Sequence, residues 1–210
     1  MRKLIVANIV SLDGYYEGPG GNVMVLPMDH TFDAYNLERL RAASTLLLGR
    51  KTYLAFKGFW PAMATHPDAT AVHREISRLD DTIEKVVVSD RLTAAETAPW
   101  ADTTRIVRRK EAHARIAELK QQPGGEILIF GSHVLWNDLL GAGLVDELHL
   151  TVGPVILGGG TPAFEGAHEA PLRRLGTETW EGSDNLLVRY AATGVADQSG
   201  SAPAVRARRR

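Results

Sequence analysis

Apolar runs of strand length alternate with helix-patterned stretches over the first two thirds of the chain, and this alternation constrains the fold more than any other feature. The runs lie at 4–10, 46–48, 86–88, 105–107 and 127–130, each of the later ones preceded by a helix-like stretch. Strands separated in this way need crossover connections, which predict an α/β fold with a largely parallel sheet flanked by helices. The first run is apolar on both faces apart from Asn8, as expected of a central strand covered on two sides. After Val145 the pattern changes. Residues 147–155, 172–180 and 186–192 are separated by turn-rich loops without a convincing helix, which predicts an antiparallel edge.

The chain has 210 residues, 44% hydrophobic and 23% charged. That suits one domain able to bury roughly 70% of its unfolded surface. No repeat, linker or second core interrupts residues 1–195, which read as one domain, whereas 196–210 lack aromatics, end in Arg206, Arg208, Arg209 and Arg210, and read as a disordered basic tail. A net charge of -1 gives no general attraction to nucleic acid or anionic membranes. The absence of cysteine excludes disulfides, thiolate metal ligands and a cysteine nucleophile, and no metal site is expected. The basic, apolar start of the chain is too short to span a bilayer and has no small-residue cleavage site, so cytoplasmic residence is the expectation.

Four signatures follow one another: Ser11-Leu12-Asp13-Gly14, Gly49-Arg50-Lys51-Thr52-Tyr53, Ser89-Asp90-Arg91, and Phe130-Gly131-Ser132 followed by Val145-Asp146-Glu147-Leu148. The second places a glycine, a cation and a hydroxyl where a strand turns into a helix, and the fourth opens a helix with small residues. Free N–H groups at helix starts bind anions, with the dipole assisting. A guanidinium such as Arg50 can grip a phosphate in bidentate fashion while Thr52 completes the cradle. Alternatively, Gly49-Arg50 is a plain strand-end turn with an exposed arginine.

In this order and spacing the signatures, with Pro154-Val155-Ile156-Leu157-Gly158-Gly159-Gly160, resemble the dihydrofolate reductase-like superfamily over residues 1–192. Within it the chain is similar to the C-terminal reductase domain of the bifunctional riboflavin-biosynthesis deaminase-reductase. The resemblance implies a mixed, mainly parallel eight-stranded sheet flanked by helices, NADPH as hydride donor, a small heterocyclic substrate, and a homodimer. It assigns the cofactor to Gly49, Arg50, Thr52, Ser89, Arg91, Gly131 and Ser132, with Ser132 also capping its helix. The turn at Ser89 and Arg91 faces the adenosine 2′-phosphate in the superfamily, but Asp90 intrudes here, and a carboxylate beside a phosphate is unfavourable unless it points away. His133 reads as a surface residue in preference to a phosphate ligand. Trp136 has two readings, an aromatic beside the nicotinamide or core packing with Leu135, Leu139 and Leu140.

On the substrate side, Asp33 precedes Gly49 by the spacing of the acid that engages the pterin in dihydrofolate reductases, and it shares a helical stripe with Leu37 and Leu40. A proton-delivering role competes with a helix-dipole role, since Thr31 as N-cap would put Asp33 in the first turn. Thr151 matches the threonine beside that acid and is the second catalytic candidate; otherwise it is an ordinary β-branched strand residue. Residues 14–24 are expected to form an irregular mobile loop over the nicotinamide, with Tyr15, Tyr16, Met24 and Met28 able to line a flat substrate. Tyr15 stands where the riboflavin-pathway reductases carry a lysine, which weakens the case for a phosphorylated sugar. The leading expectation is an NADPH-dependent reductase of a planar heterocycle, nearest to 5-amino-6-(5-phosphoribosylamino)uracil reductase. The alternatives are a dihydrofolate reductase and a nucleotide-binding protein without turnover. No fused zinc deaminase is expected, since these residues offer neither cysteine for its metal nor room for its domain.

Overall fold

A computed structural model of the protein describes residues 1–166 and 170–192; the expected tail at 196–210 lies outside them. In chain order the elements are β1 (Leu4–Ser11), β2 (Tyr15–Glu17), α1 (His30–Ala42), β3 (Ala43–Gly49), α2 (Arg50–Met63), α3 (Ala71–Thr82), β4 (Glu84–Val88), β5 (Thr104–Val107), α4 (Ala112–Gln121), β6 (Glu126–Phe130), α5 (His133–Gly141), β7 (Glu147–Gly153), β8 (Thr161–Pro162), β9 (Leu172–Thr179) and β10 (Leu186–Ala192). Eight of the ten strands form one sheet in the order β5-β4-β3-β6-β1-β7-β10-β9. The pairs from β5 to β7 are parallel, whereas β10 runs antiparallel to both β7 and β9. The mainly parallel sheet with an antiparallel edge is therefore the arrangement the sequence predicts.

Strand alternation splits the core into two layers. Val6, Leu47, Ile127, Ile129 and Leu148 face α4 and α5, whose Ile116, Leu135, Trp136 and Leu139 cover them. Ile5, Ala7, Leu46, Leu48, Leu128 and Phe130 face α1, α2 and α3 through Leu37, Leu40, Tyr53 and Ile76. β1 is buried at all eight positions, as a strand between two helical layers must be. No helix among the described residues is long and apolar enough to cross a membrane.

Three local expectations are corrected. β5 is not preceded by a helix: the β4–β5 connection has only 3-10 turns at Ala94–Glu96 and Ala101–Thr103, and Trp100 between them is buried in the core. Residues 14–24 are not wholly irregular, since β2 pairs antiparallel with β8. This pairing needs Gly160, whose φ is +128° and where a Cβ would sit 2.1 Å from the Glu17 carbonyl oxygen. Finally, the N-cap of α1 is Asp29 and not Thr31. Asp29 Oδ1 accepts from the N–H groups of Thr31 and Phe32, both at 3.0 Å. Burial alone would raise this carboxyl, but the Ser183 and Thr31 hydroxyls and those two N–H groups hold it down at about 2.

Candidate active site

β3 and β6 are neighbours and parallel, so the helices that follow them, α2 and α5, start side by side at the same edge of the sheet. Open α/β sheets bind ligands at this carboxyl edge. The two starts are latched together: Gly49 N–H donates to Ser132 Oγ at 3.0 Å, and Ser132 N–H donates to Thr52 Oγ1 at 2.8 Å. Asn8 of β1 completes the latch, its Oδ1 accepting from Gly131 N–H at 2.6 Å and its Nδ2 donating to Gly131 O at 3.2 Å. Gly131 and Ser132 both have φ of +54°. At Gly131 a Cβ would meet Thr52 Cγ2 at 2.9 Å and the Tyr16 hydroxyl at 3.2 Å, so only glycine leaves this turn open. Ser132 occupies the N-cap position of α5 without a side-chain cap bond, because its hydroxyl oxygen is committed to Gly49. The capping expected of Ser132 is therefore corrected, while Gly49, Thr52, Gly131 and Ser132 are brought to one place.

Arg50 opens α2 and pairs with Glu96 at 3.0 Å, both side chains remaining well exposed at 41% and 37%. Its Nε is buried and has no protein partner. At the end of β4, Ser89 is buried and its Oγ accepts from the N–H groups of Arg91 at 3.0 Å and Leu92 at 2.9 Å. Its hydroxyl oxygen thus shapes the turn. Asp90 points away from it: Oδ1 accepts from Arg109 N–H at 3.0 Å and Oδ2 from Arg109 Nε at 3.1 Å. Arg91 is exposed and has no ion pair among the described residues. Arg108, which the sequence reading passed over, donates to Ser89 O at 3.0 Å and adds a second cation to this corner.

Two residues of the α5 start differ from expectation. His133 is not at the surface: it is 8% exposed and its Nε2 donates to the carbonyls of Pro162 at 2.8 Å and Ala163 at 3.1 Å. Tyr16 stacks on it at 4.8 Å between centroids, and burial pushes the Tyr16 phenol up to about 12. Trp136 takes the core reading. It is 0% exposed, with its edge or face against His133 at 5.8 Å and Phe164 at 5.4 Å, and it presents no surface to a ligand.

The first signature acts at a distance from these turns. Asp13 accepts from Ser11 Oγ at 2.6 Å, Leu157 N–H at 3.1 Å and Gly158 N–H at 2.8 Å. The Ser11 hydroxyl and these N–H groups hold its carboxyl down at about 2. Ser-Leu-Asp-Gly thus anchors the glycine-rich 157–160 segment.

Asp33 stands in the first turn of α1, one quarter exposed, with Oδ2 2.9 Å from His73 Nε2 of α3. Thr151 is buried in β7, two residues beyond His149 on the same strand face. His149 Nδ1 accepts from the Tyr35 hydroxyl of α1 at 2.7 Å, and its Nε2 bonds Glu147 at 2.8 Å. Burial pulls this imidazole down against the opposing pull of Glu147. Thr151 and α1 therefore share one face of the sheet, and no hydrogen bond joins Asp33 to Thr151 among the described residues.

The architecture is that of known reductases. A dihydrofolate reductase from Enterococcus faecalis complexed with NADP(H) superposes with a TM-score of 0.54 at 17% identity, over 91% of this chain and 97% of that one. The deaminase/5-amino-6-(5-phosphoribosylamino)uracil reductase of Thermotoga maritima matches with a TM-score of 0.64 at 12% identity, covering 91% of this chain and 57% of that longer one. In sequence, the uncharacterized protein YyaP of Bacillus subtilis is 29% identical over 163 residues, 78% of this chain and 80% of its own. The family model of the RibD C-terminal domain aligns with residues 2–197, which takes in all four signatures and the whole sheet, and the chain belongs to that family.

Proposed function

We propose that the protein is an NADPH-dependent reductase of a small planar nitrogen heterocycle. The observation that carries the reading is the pair of helix starts, α2 and α5, held together at the carboxyl edge by Ser132 and Thr52 around a turn that only glycine can form. Such a place suits a pyrophosphate: helix-start N–H groups and dipoles converge there, the glycine lets the ligand approach the backbone, and Arg50 supplies charge. The donor set fits a dinucleotide phosphate at its other end too. With Asp90 turned onto Arg109, the corner of Ser89, Arg91 and Arg108 is cationic and suits a 2′-phosphate.

When bound, NADPH supplies a hydride to an electrophilic ring carbon of the substrate. The chain's own part is to hold the reactants and to relay a proton from solvent to the ring nitrogen that gains the electron pair, for which the one-quarter-exposed Asp33 on the α1 face is the candidate. Tyr15 in place of a lysine favours a substrate without a phosphorylated sugar. A homodimer belongs to the same proposal, with edge strand β9, where Leu172 and Leu175 are 41% and 40% exposed, as a face available for it.

Titration with NADPH and NADH, followed by calorimetry and nicotinamide fluorescence, tests the cofactor reading. Micromolar binding of NADPH with weaker binding of NADH is expected, and no binding of either refutes it.

A further inference from the structure

The geometry points to His73 as the residue that positions Asp33 for a ligand, an inference that rests on the proposed substrate site. His73 is the third residue of α3, and its ring is tied at both nitrogens. Thr70 N–H lies 3.4 Å from Nδ1, and Nε2 lies 2.9 Å from Asp33 Oδ2. A backbone N–H can only donate, so Nδ1 is the acceptor and the ring proton sits on Nε2, directed at the carboxylate. One oxygen of Asp33 is thereby committed, whereas Oδ1 has no hydrogen bond among the described residues.

The surroundings suit a flat ring. On the helical wheel of α1, Asp33 falls between Leu37 and Leu40, both buried against the sheet, so its carboxylate is on the inward arc while staying one quarter exposed. From His73 a run of aromatic side chains leads towards the Gly131 turn. Trp60 meets His73 at 6.3 Å, Phe56 meets Trp60 at 6.3 Å, and Phe130, the residue before Gly131, meets Phe56 at 6.3 Å. A carboxylate stands at one end of this wall and the proposed phosphate turn at the other. A planar heterocycle presenting N–H donors along one edge can pack beside Trp60, whose ring meets His73 at 63°, and donate to Oδ1. Without His73 the carboxylate is free to rotate, and ordering it falls to the ligand.

A merely structural tie between α1 and α3 makes different predictions. His73 is also part of a capping box, its N–H donating to Thr70 Oγ1 at 3.1 Å, so stability and ligand binding must be read separately. The probe is 2,4-diaminopyrimidine, titrated by calorimetry into the protein without cofactor, with melting temperature and NADPH affinity measured alongside. His73→Gln keeps an N–H donor and suits the capping box, and its affinity should stay within about threefold of the natural protein, whereas His73→Leu and Asp33→Asn should each lose roughly tenfold or more. Thr70→Ala, which removes the cap alone, should lower the melting temperature and leave the affinity unchanged. Probe affinity unaltered in His73→Leu, an equal loss in Thr70→Ala, or no binding to the natural protein overturns the inference. Should NADPH not bind while this pattern holds, the cofactor reading fails and the role of His73 stands.

Discussion

Replacing Thr52 by Val tests whether the two helix starts form one latched unit. The side chains have nearly the same shape, so the change removes an acceptor without opening a cavity. Ser132 N–H, which donates to Thr52 Oγ1 at 2.8 Å from a residue only 6% exposed, then has neither protein nor ready water as partner. Leaving a buried N–H unsatisfied costs about 1–3 kcal/mol. The new methyl carbon must also withdraw from 2.8 Å to an ordinary contact of roughly 3.5 Å, which pushes the turn apart. For a domain of this size each kcal/mol lowers the melting temperature by about 2–4 °C, giving an expected fall of roughly 2–12 °C. Thr52→Ser, which keeps the oxygen, should lie near the upper edge of stability. Chemical denaturation at unchanged m-value supplies the free energies, and a double-mutant cycle with Ser132→Ala supplies the coupling. Ser132→Ala removes the acceptor of Gly49 N–H, so the two losses should be sub-additive by about 0.5 kcal/mol or more. A Thr52→Val protein as stable as its parent, or strictly additive losses, refutes the latch.

Two further outcomes follow from charge. Arg50→Ala should weaken NADPH by the loss of a charge-assisted contact worth about 1.5–3 kcal/mol, or roughly ten- to a hundredfold, measured by calorimetry; unchanged affinity removes Arg50 from the site. Burial pushes the Asp80 carboxyl up to about 7, outweighing the opposite pull of Lys85, so in the native state this acid is favoured protonated while the unfolded chain ionises near 3.8. Stability associated with Asp80 is therefore present below pH 4 and lost as pH rises from about 4 to about 7, and unfolding free energies of Asp80→Asn should lack that downward contribution. Parallel pH curves for the two proteins contradict it.

The order of elements and the sheet edge at which the candidate residues gather were legible because both depend on local pattern: strand-length apolar runs, helical spacing, and small residues at helix starts. What was not legible was the use made of each motif residue. Thr52, Ser132 and Asn8 look like ligands or ordinary strand and turn residues in sequence, yet their side-chain oxygens accept from the backbone N–H groups of Ser132, Gly49 and Gly131 across 80 to 123 positions. Such pairings are set by the packing of β1, β3 and β6 and leave no local trace. His133 is buried and bonds the Pro162 carbonyl of β8, a strand of two residues that no periodicity reveals. The α1 cap illustrates a competition between adequate candidates: Asp29 and Thr31 are both good N-cap types, and the aspartate prevails because its carboxylate satisfies two N–H groups while Ser183 from a distant loop donates to it.

Charge within a motif is equally non-local, and magnitudes decide what it does. Asp90 argued against a phosphate as long as it was viewed beside Arg91, but Arg109 takes the carboxylate with two hydrogen bonds and leaves Arg91 open. Arg50 is the reverse case, a phosphate candidate already paired with Glu96. The pair is well exposed on both sides, and exposed ion pairs are worth about 0–1 kcal/mol. A phosphate replacing Glu96 gains about 1.5–3 kcal/mol from the same guanidinium. If a phosphate binds at Arg50 as proposed, the exchange runs towards the ligand and Glu96 is a weak competitor for the guanidinium. Glu96→Gln should accordingly tighten NADPH binding, but by no more than about fivefold, the equivalent of 1 kcal/mol. A gain of a hundredfold contradicts the weakness of the pair, and a loss means that Glu96 orients Arg50 more than it competes for it.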